Sequence, residues 1–358
     1  MTRSICLNMI VRDEAAIIGE TLRNLTEKVP LSSWTISDTG SVDATPQIIV
    51  DFFDRAGIPG KLVSHPWQGF SDNRNLALQA CAGTSDYVLF FDADDYIRGA
   101  PDFRNLDADG YYLKYSDEAG SIAYERPWLV TNDGRARWRG AVHEFVDTKD
   151  MKLTALGGDY AIISRRLGAR NKNRNKYLAD AHALEMAFAD DKDPDLAPRY
   201  AFYCANSYRD HGDTRRALEW YERRIEMDGW RDERFMSWLN IGLIHERNGK
   251  HDKALFAYIS GHNTCPDRVE CIYHASRMLR HAGRFASAYV FAKEGVSIPF
   301  PEGGRLFLSA SIRDFWMSYE YLFLRGKLGK PVKDLPLYSE FIAGPAPADV
   351  KETLSGFR

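Results

Sequence analysis

Three carboxylates, Asp92, Asp94 and Asp95, close an otherwise apolar run, Tyr-Val-Leu-Phe-Phe-Asp-Ala-Asp-Asp, at residues 87–95. Hard oxygen donors grouped this closely suit Mg²⁺ or Mn²⁺, which typically takes one or two carboxylates and completes its shell with water and a phosphorylated substrate. A nucleotide diphosphate is the natural guest of such a site. The competing reading is a polar turn that closes a strand, since Asp favours turns. The elements around the run must decide between the two.

Those elements alternate. Residues 4–11 read as a strand, followed by a helix carrying Ala15, Ile17, Ile18, Leu22 and Leu25. Residues 34–37 read as a second strand, and Thr45 as an N-cap with Pro46 in the first turn of the next helix, which runs to Gly57. Residues 61–64 form a third strand; Ser71 is expected to cap a helix through Ala82 and Gly83 to end it, before the apolar strand 87–91. The expected fold is α/β, Rossmann-like, with a mostly parallel sheet whose strands bind ligands beyond their carboxyl ends. Asp92, Asp94 and Asp95 then lie at the mouth of the fourth strand.

After about residue 177 a different period takes over. Gly212, Gly249 and Gly283 each precede an alanine by five residues, Ala217, Ala254 and Ala288, at intervals of 37 and 34 residues. Aromatic residues follow at Tyr221, Tyr258 and Tyr289. A period of about 34 residues with a turn glycine and a small helix-contact residue marks tetratricopeptide helical hairpins. A fourth, degenerate unit is expected over 311–328. The resulting division is 1–176 for the α/β domain, 177–343 for the repeats and 344–358 for a poorly ordered C-terminal tail.

Composition narrows the function classes. A chain of 358 residues exceeds one usual core, 44% of it is hydrophobic, and its formal net charge of −3 gives no global attraction to nucleic acid or anionic membrane. Five cysteines without a Cys-x-x-Cys pair argue against a disulfide framework and a structural zinc. No apolar stretch approaches the ~18 residues of a membrane span, and no signal peptide is visible. The expectation is a cytoplasmic protein.

Four segments in order, Met9-Ile-Val-Arg-Asp-Glu14, Asp38-Thr-Gly-Ser-Val-Asp43, Phe91-Asp-Ala-Asp-Asp95 and Trp138-Arg-Gly-Ala-Val-His-Glu144, resemble the family-2 glycosyltransferases of the GT-A fold, in the branch that carries tetratricopeptide repeats. The resemblance implies transfer of a sugar from a nucleotide-diphosphate donor with Mn²⁺ or Mg²⁺ as cofactor; a carboxylate at Asp38 can accept the ring N–H of a uracil, which points to a UDP-sugar. It implies that Asp38 meets the nucleotide base, that Arg12 and Glu14 wrap the nucleotide, and that Arg74 lies beside it. Asp92 would face the ribose or the metal, Asp94 the metal, and His143 would be the third metal ligand. Glu144 would take the acceptor's proton in an inverting, in-line attack, with the roles of His143 and Glu144 exchangeable and Asp117, Glu118 or Asp147 as alternative bases.

The chain departs from the family pattern at Ser164-Arg-Arg-Leu-Gly168, where related sequences often place a histidine. Arg165 cannot bind a cation; it is expected to contact the donor diphosphate, as could Arg166, Arg170, Lys172, Arg174 and Lys176 in a basic closing loop. The repeats would present a protein, peptide or saccharide acceptor on a concave surface, with Tyr200, Tyr203, Tyr208, Trp220 and Trp238 available for stacking or for repeat packing. Two other functions remain open. Residues 165–176, interleaved with Asn171, Asn173 and Asn175, would track phosphates of a modified nucleic-acid acceptor, or the chain is a non-catalytic repeat adaptor with a degenerate transferase domain.

Overall fold

The structure, a computed structural model, describes residues 3–116, 118, 123–165, 175–190, 193–299 and 306–357. It divides into two compact units, Met1–Ala187 and Phe188–Arg358. The division falls inside a helix, Lys176–Asp190 (α4), rather than at its start.

The first unit is built on β1 (Ile5–Val11), β2 (Ser33–Asp38), β3 (Gly60–Ser64), β4 (Tyr87–Phe90), β5 (Asp95–Asp102), β6 (Gly110–Ser116), β7 (Ala123–Thr131), β8 (Arg137–Arg139), β9 (Phe145–Asp147), β10 (Leu153–Ala155) and β11 (Gly157–Ser164). Helices α1 (Ile18–Lys28), α2 (Thr45–Ala56) and α3 (Phe70–Ala80) connect the first four strands. The main sheet runs β3-β2-β1-β4-β7-β6-β11-β5, with β10 beside β6. β1 to β4 are parallel to one another, as a β-α alternation requires, and β1 and β4 are apolar and buried almost throughout. Burying Val88, Leu89 and Phe90 contributes about 1.5–3 kcal/mol each. Register sets the site: Val11 pairs with Asp38 and Asn8 with Phe90, so the carboxyl ends of β1, β2 and β4 reach one edge together.

Beyond β4 the alternation stops. β7 runs antiparallel to β4 and to β6, while β5 pairs antiparallel with β11 across Asp95↔Ser164. After β4 the strands β5 to β11 follow one another without an α-helix among the described residues. The caps also differ from expectation. Thr45 is already inside α2, whose N-cap is Ala44, and Asp43 Oδ1 accepts from the Thr45 amide at 2.9 Å. α3 begins after Gly69, and Asn73 rather than Ser71 secures it by accepting from the Gln68 amide at 2.8 Å and donating to Pro66 O at 3.1 Å.

The second unit contains three helical hairpins: Ala197–His211 (α5) with Thr214–Ile225 (α6), Arg231–Arg247 (α7) with His251–Thr264 (α8), and Glu270–His281 (α9) with Phe285–Gly295 (α10). Gly212, Gly249 and Gly283 turn each hairpin at φ of 98°, 70° and 71°, a left-handed backbone that costs other residues a Cβ clash. Ala217, Ala254 and Ala288 are fully buried, and Gly242 has no room for a Cβ, which would lie 2.3 Å from the Tyr258 ring. These are tetratricopeptide-type repeats. Tyr200, Tyr208 and Trp220 are buried in this packing, while Tyr203 and Trp238 are half-buried.

A π-helical turn at Ile312–Trp316 leads into Met317–Lys327 (α11), at the place of the expected fourth unit. The segment after Gly344 is not a loose tail. Pro336–Ala343 (α12) and Ala348–Ser355 (α13) bury Phe341, Val350 and Leu354 in one apolar cluster with Leu322 and Val332. Prolines open both helices, Pro336 in the first turn of α12 and Pro347 as the N-cap of α13.

Candidate functional site

The acidic run turns as soon as β4 ends. Phe91 N still bonds Asn8 O at 3.2 Å, and Asp95 N closes the turn on Asp92 O at 3.2 Å. Two side chains hold the turn's backbone from outside. Thr21 Oγ1 of α1 donates to Ala93 O at 2.7 Å, and Arg165, just past β11, donates from Nε to Asp94 O at 3.0 Å. Arg165 also pairs with Glu20 at 2.8 Å and lies over the Tyr96 ring. The structure thus gives Arg165 a structural engagement at the acidic turn. Residues 166–174, the rest of the expected closing loop apart from Lys176, lie outside the described residues.

Arg74, on α3, joins two of the sequence segments. It donates from Nη2 to Asp92 Oδ1 at 2.7 Å and from Nε to Glu144 Oε1 at 2.9 Å, and its guanidinium lies 4.5 Å from the Trp138 ring centre. It is only 7% exposed. Burial works against its charge, but the Asp92 and Glu144 carboxylates outweigh burial and raise its pKa. The neighbouring Asn75 brackets Trp138 with two bonds, donating to its carbonyl at 2.9 Å and accepting from its amide at 2.8 Å. Glu144 therefore sits as the partner of an arginine on the hairpin loop between β8 and β9. His143 beside it is exposed, with a left-handed backbone, φ 56°, uncommon outside glycine and found where a local arrangement imposes it.

Asp95 is 1% exposed, and neither carboxyl oxygen makes a hydrogen bond of normal geometry, although the Ser164 side chain on the paired strand is near enough to pull its pKa down. Burial, then the charge of Asp92, raise its pKa well above the usual carboxylate range, against the pull of Arg126. The Tyr115 hydroxyl and Trp138 Nε1 are likewise buried without partners. Buried polar groups left in this condition are rare in folded proteins and point to a missing ligand or water.

These carboxylates bear on the expected cation. Asp92, Asp94 and His143 do not form a three-residue metal-ligating group, and no other His, Cys, Asp or Glu side chains do so among the described residues. Asp92 is engaged by Arg74, and His143 stands on the loop between β8 and β9 beside Glu144, the other partner of Arg74. The unsatisfied oxygens of Asp95 beside Asp92 do fit a hard cation held by few carboxylates and by substrate oxygens.

At the ends of β1 and β2 the segments lace together. Asp38 is buried and accepts from the Ser41 amide at 3.2 Å, while Asp13, at φ 55°, accepts from the Val42 amide at 2.8 Å. Glu14 N donates to Thr45 Oγ1 at 2.8 Å, and Arg12 is exposed. Of the alternative bases, Glu118 is exposed and paired with Arg98, Asp147 lies 3.5 Å from Arg139, and Asp117 lies outside the described residues.

Sequence reading missed Arg126, whose Nη1 lies 3.8 Å from Asp92 Oδ2. The available signal was the alternation Tyr124, Arg126, Trp128, which in a strand puts all three on one face.

Comparison with known proteins bears on this site. Residues 6–101 match Glycosyl transferase family 2. The lipopolysaccharide core biosynthesis glycosyltransferase LpsC of Rhizobium meliloti (strain 1021) is 30% identical over 127 residues, which are 35% of this chain and 42% of LpsC, so the match spans less than half of that relative. Among solved structures, S. aureus TarS 1–349 in complex with UDP-GlcNAc is 13% identical at a TM-score of 0.41, covering 73% of this chain and 91% of that one. MamA (AMB-1) is 18% identical at a TM-score of 0.34, covering 49% and 87%. Residues 6–101, which hold the acidic turn and its flanking strand ends, are thus similar to glycosyl transferase family 2, and helical hairpins of tetratricopeptide type follow later in the chain.

Proposed function

We propose that the protein transfers a sugar from a nucleotide-diphosphate donor, a UDP-sugar, to a saccharide, peptide or protein acceptor, with inversion at the sugar carbon. The observation that carries this reading is the acidic turn Asp92–Asp95 at the mouth of β4, inside the family-2 segment and tied through Arg74 to Glu144. Asp38, across the sheet edge, would meet the base, with Arg12 and Glu14 on the nucleotide side. Asp92 and Asp94 would hold Mg²⁺ or Mn²⁺. When bound, the cation would offset the charge that builds on the departing diphosphate.

The acceptor hydroxyl attacks the sugar carbon, the bond from that carbon to the diphosphate oxygen breaks, and the nucleotide diphosphate leaves with the bonding pair. Glu144 takes the hydroxyl proton. Its bond to Arg74 fixes the carboxylate's position and leaves Oε2 to face the acceptor, and Arg74 itself acts as a positioning residue rather than a direct donor contact. No described helix is long and apolar enough to cross a membrane. All five cysteines are buried thiols outside any disulfide, which supports a reducing, cytoplasmic setting.

The test is a thermal-shift panel of UDP, GDP and ADP with and without Mn²⁺, since a ligand that binds only the folded state raises its apparent stability. UDP with Mn²⁺ is expected to give the largest shift, and Asp94→Ala to abolish it. Equal shifts with and without metal would remove the cation site. Absence of any nucleotide-sugar turnover with either metal would favour the adaptor reading.

A further inference from the structure

Arg126 lies against three aromatic rings. Its guanidinium lies 4.6 Å from the Tyr115 ring centre, 4.6 Å from Trp128 and 5.2 Å from Tyr124. Tyr115 and Tyr124 are themselves stacked at 5.5 Å on the paired strands β6 and β7. A planar cation stacked on rings is fixed in orientation and loses little freedom when it binds. Its polar commitments are few. Among the described residues its one hydrogen bond runs from Nη2 to Tyr124 Oη at 3.1 Å, and its ion pair with Asp92 is long, 3.8 Å. A guanidinium has five N–H donors, so most of this one's remain unused. It is 34% exposed, and Tyr124 beside it 38%.

Topology says which side of the site this is. β7 flanks β4 on the side away from β1 and β2, so Arg126 and Asp38 lie on opposite sides of the acidic turn. A donor whose base sits at Asp38 and whose diphosphate reaches Asp92 leaves Arg126 on the side the acceptor enters. We infer that Arg126, oriented by Tyr115, Tyr124 and Trp128, is an anion receptor for a carboxylate or phosphate group carried by the acceptor sugar. This rests on the glycosyltransferase reading for the word acceptor, but not for the anion receptor itself. The fork geometry of the guanidinium suits two oxygens of one such group, and the long contact to Asp92 is the one it would relinquish.

The test titrates wild-type protein and Arg126→Gln by calorimetry with glucose, glucuronate and glucose 6-phosphate, each with saturating UDP and Mg²⁺ and again without them, and with UDP alone. Wild-type protein is expected to bind the two anionic sugars about tenfold or more tighter than glucose, the scale of one charge-assisted hydrogen bond. Arg126→Gln should erase that preference, weakening glucose 6-phosphate about tenfold more than it weakens UDP. Arg126→Lys, which keeps the charge but not the fork, should melt with the wild type and still lose most of the preference. Equal binding of glucose and its anionic relatives by the wild type would overturn the inference. So would equal weakening of UDP and glucose 6-phosphate in Arg126→Gln, which would give the guanidinium to the donor diphosphate, or an undiminished preference in Arg126→Lys. Failure of the wild type to bind UDP would instead strike the glycosyltransferase reading, while the anion preference would still be read from the titrations without nucleotide.

Discussion

Arg74 in the first unit and Arg268 in the second are both buried, and each bridges two carboxylates, yet their surroundings differ. Arg268 is fully buried and saturated: it reaches Glu270 at 2.6 Å, Asp232 at 3.4 Å and the Leu306 carbonyl at 2.8 Å. Asp232 in turn accepts from the Leu306 amide at 3.0 Å, so the group is closed on itself. Arg74 joins Asp92, which is about a third exposed, to Glu144, and beside them Asp95 is left with unsatisfied oxygens. A closed polar cluster staples helices together. An incomplete one at a strand mouth has capacity left for a ligand, and this contrast separates framework from site more sharply than burial or charge alone.

Removing the two arginines should pull stability and activity apart. Arg268→Met leaves Asp232 and Glu270 charged in the interior and is expected to cost about 3–5 kcal/mol in urea unfolding. Arg74→Met should cost less, about 1–2 kcal/mol, because water reaches Asp92, yet lower donor turnover about 100-fold by releasing Asp92 and Glu144 from their fixed positions. Similar stability losses, or a larger turnover loss for Arg268→Met per folded molecule, would break the distinction.

The second unit carries a pH dependence opposite in sign to the one Asp95 gives the first. His274 stacks on Tyr258, and burial, aided by the nearby Arg277 charge, lowers its pKa to about 3. The unfolded chain takes up that proton near pH ~6.5, so between there and pH ~3 the unfolded state binds more protons and folding stability falls as the pH falls. Its share of the slope is at most about 1.4 kcal/mol per pH unit. Urea midpoints measured at pH 7 and pH 5 should drop less for His274→Gln than for the wild type; parallel drops would remove this assignment.

The smallest expected change in stability is at Asp95. Burial disfavours its charged form, so Asp95→Asn, which removes that cost, should leave the fold no less stable at pH ~7 while lowering donor turnover more than about tenfold. A destabilisation above about 2 kcal/mol would place Asp95 with Arg268, among the residues that hold the fold.

The parts of the molecule legible in sequence are those specified locally. Strands β1 to β4 announce themselves by apolar runs between amphipathic helices, and the repeats by glycines whose turns need a left-handed backbone. The antiparallel half was not legible, because pairings such as Asp95↔Ser164 depend on partners far apart in the chain and on short strands with little periodicity. The site was legible in its residue types and not in their pairing. Arg74 stood out as a cation near the crevice, but only folding reveals that its two nearest partners are the acidic turn and Glu144. Arg126 was hidden because its significance comes from Tyr115 on a neighbouring strand.

The pairing of β5 has a practical consequence for anyone cutting the gene. The family match stops at residue 101, within β5, but β5 pairs with β11, which ends at Ser164, and β4 is flanked by β7. A fragment trimmed to the matched residues would carry β5 with nothing to pair with and the apolar edge of β4 laid open, a recipe for insoluble protein. It would also lose Arg126, Glu144 and Arg165. The smallest useful expression fragment is therefore set by strand partnership and must run beyond Arg165, well past the point where family likeness ends.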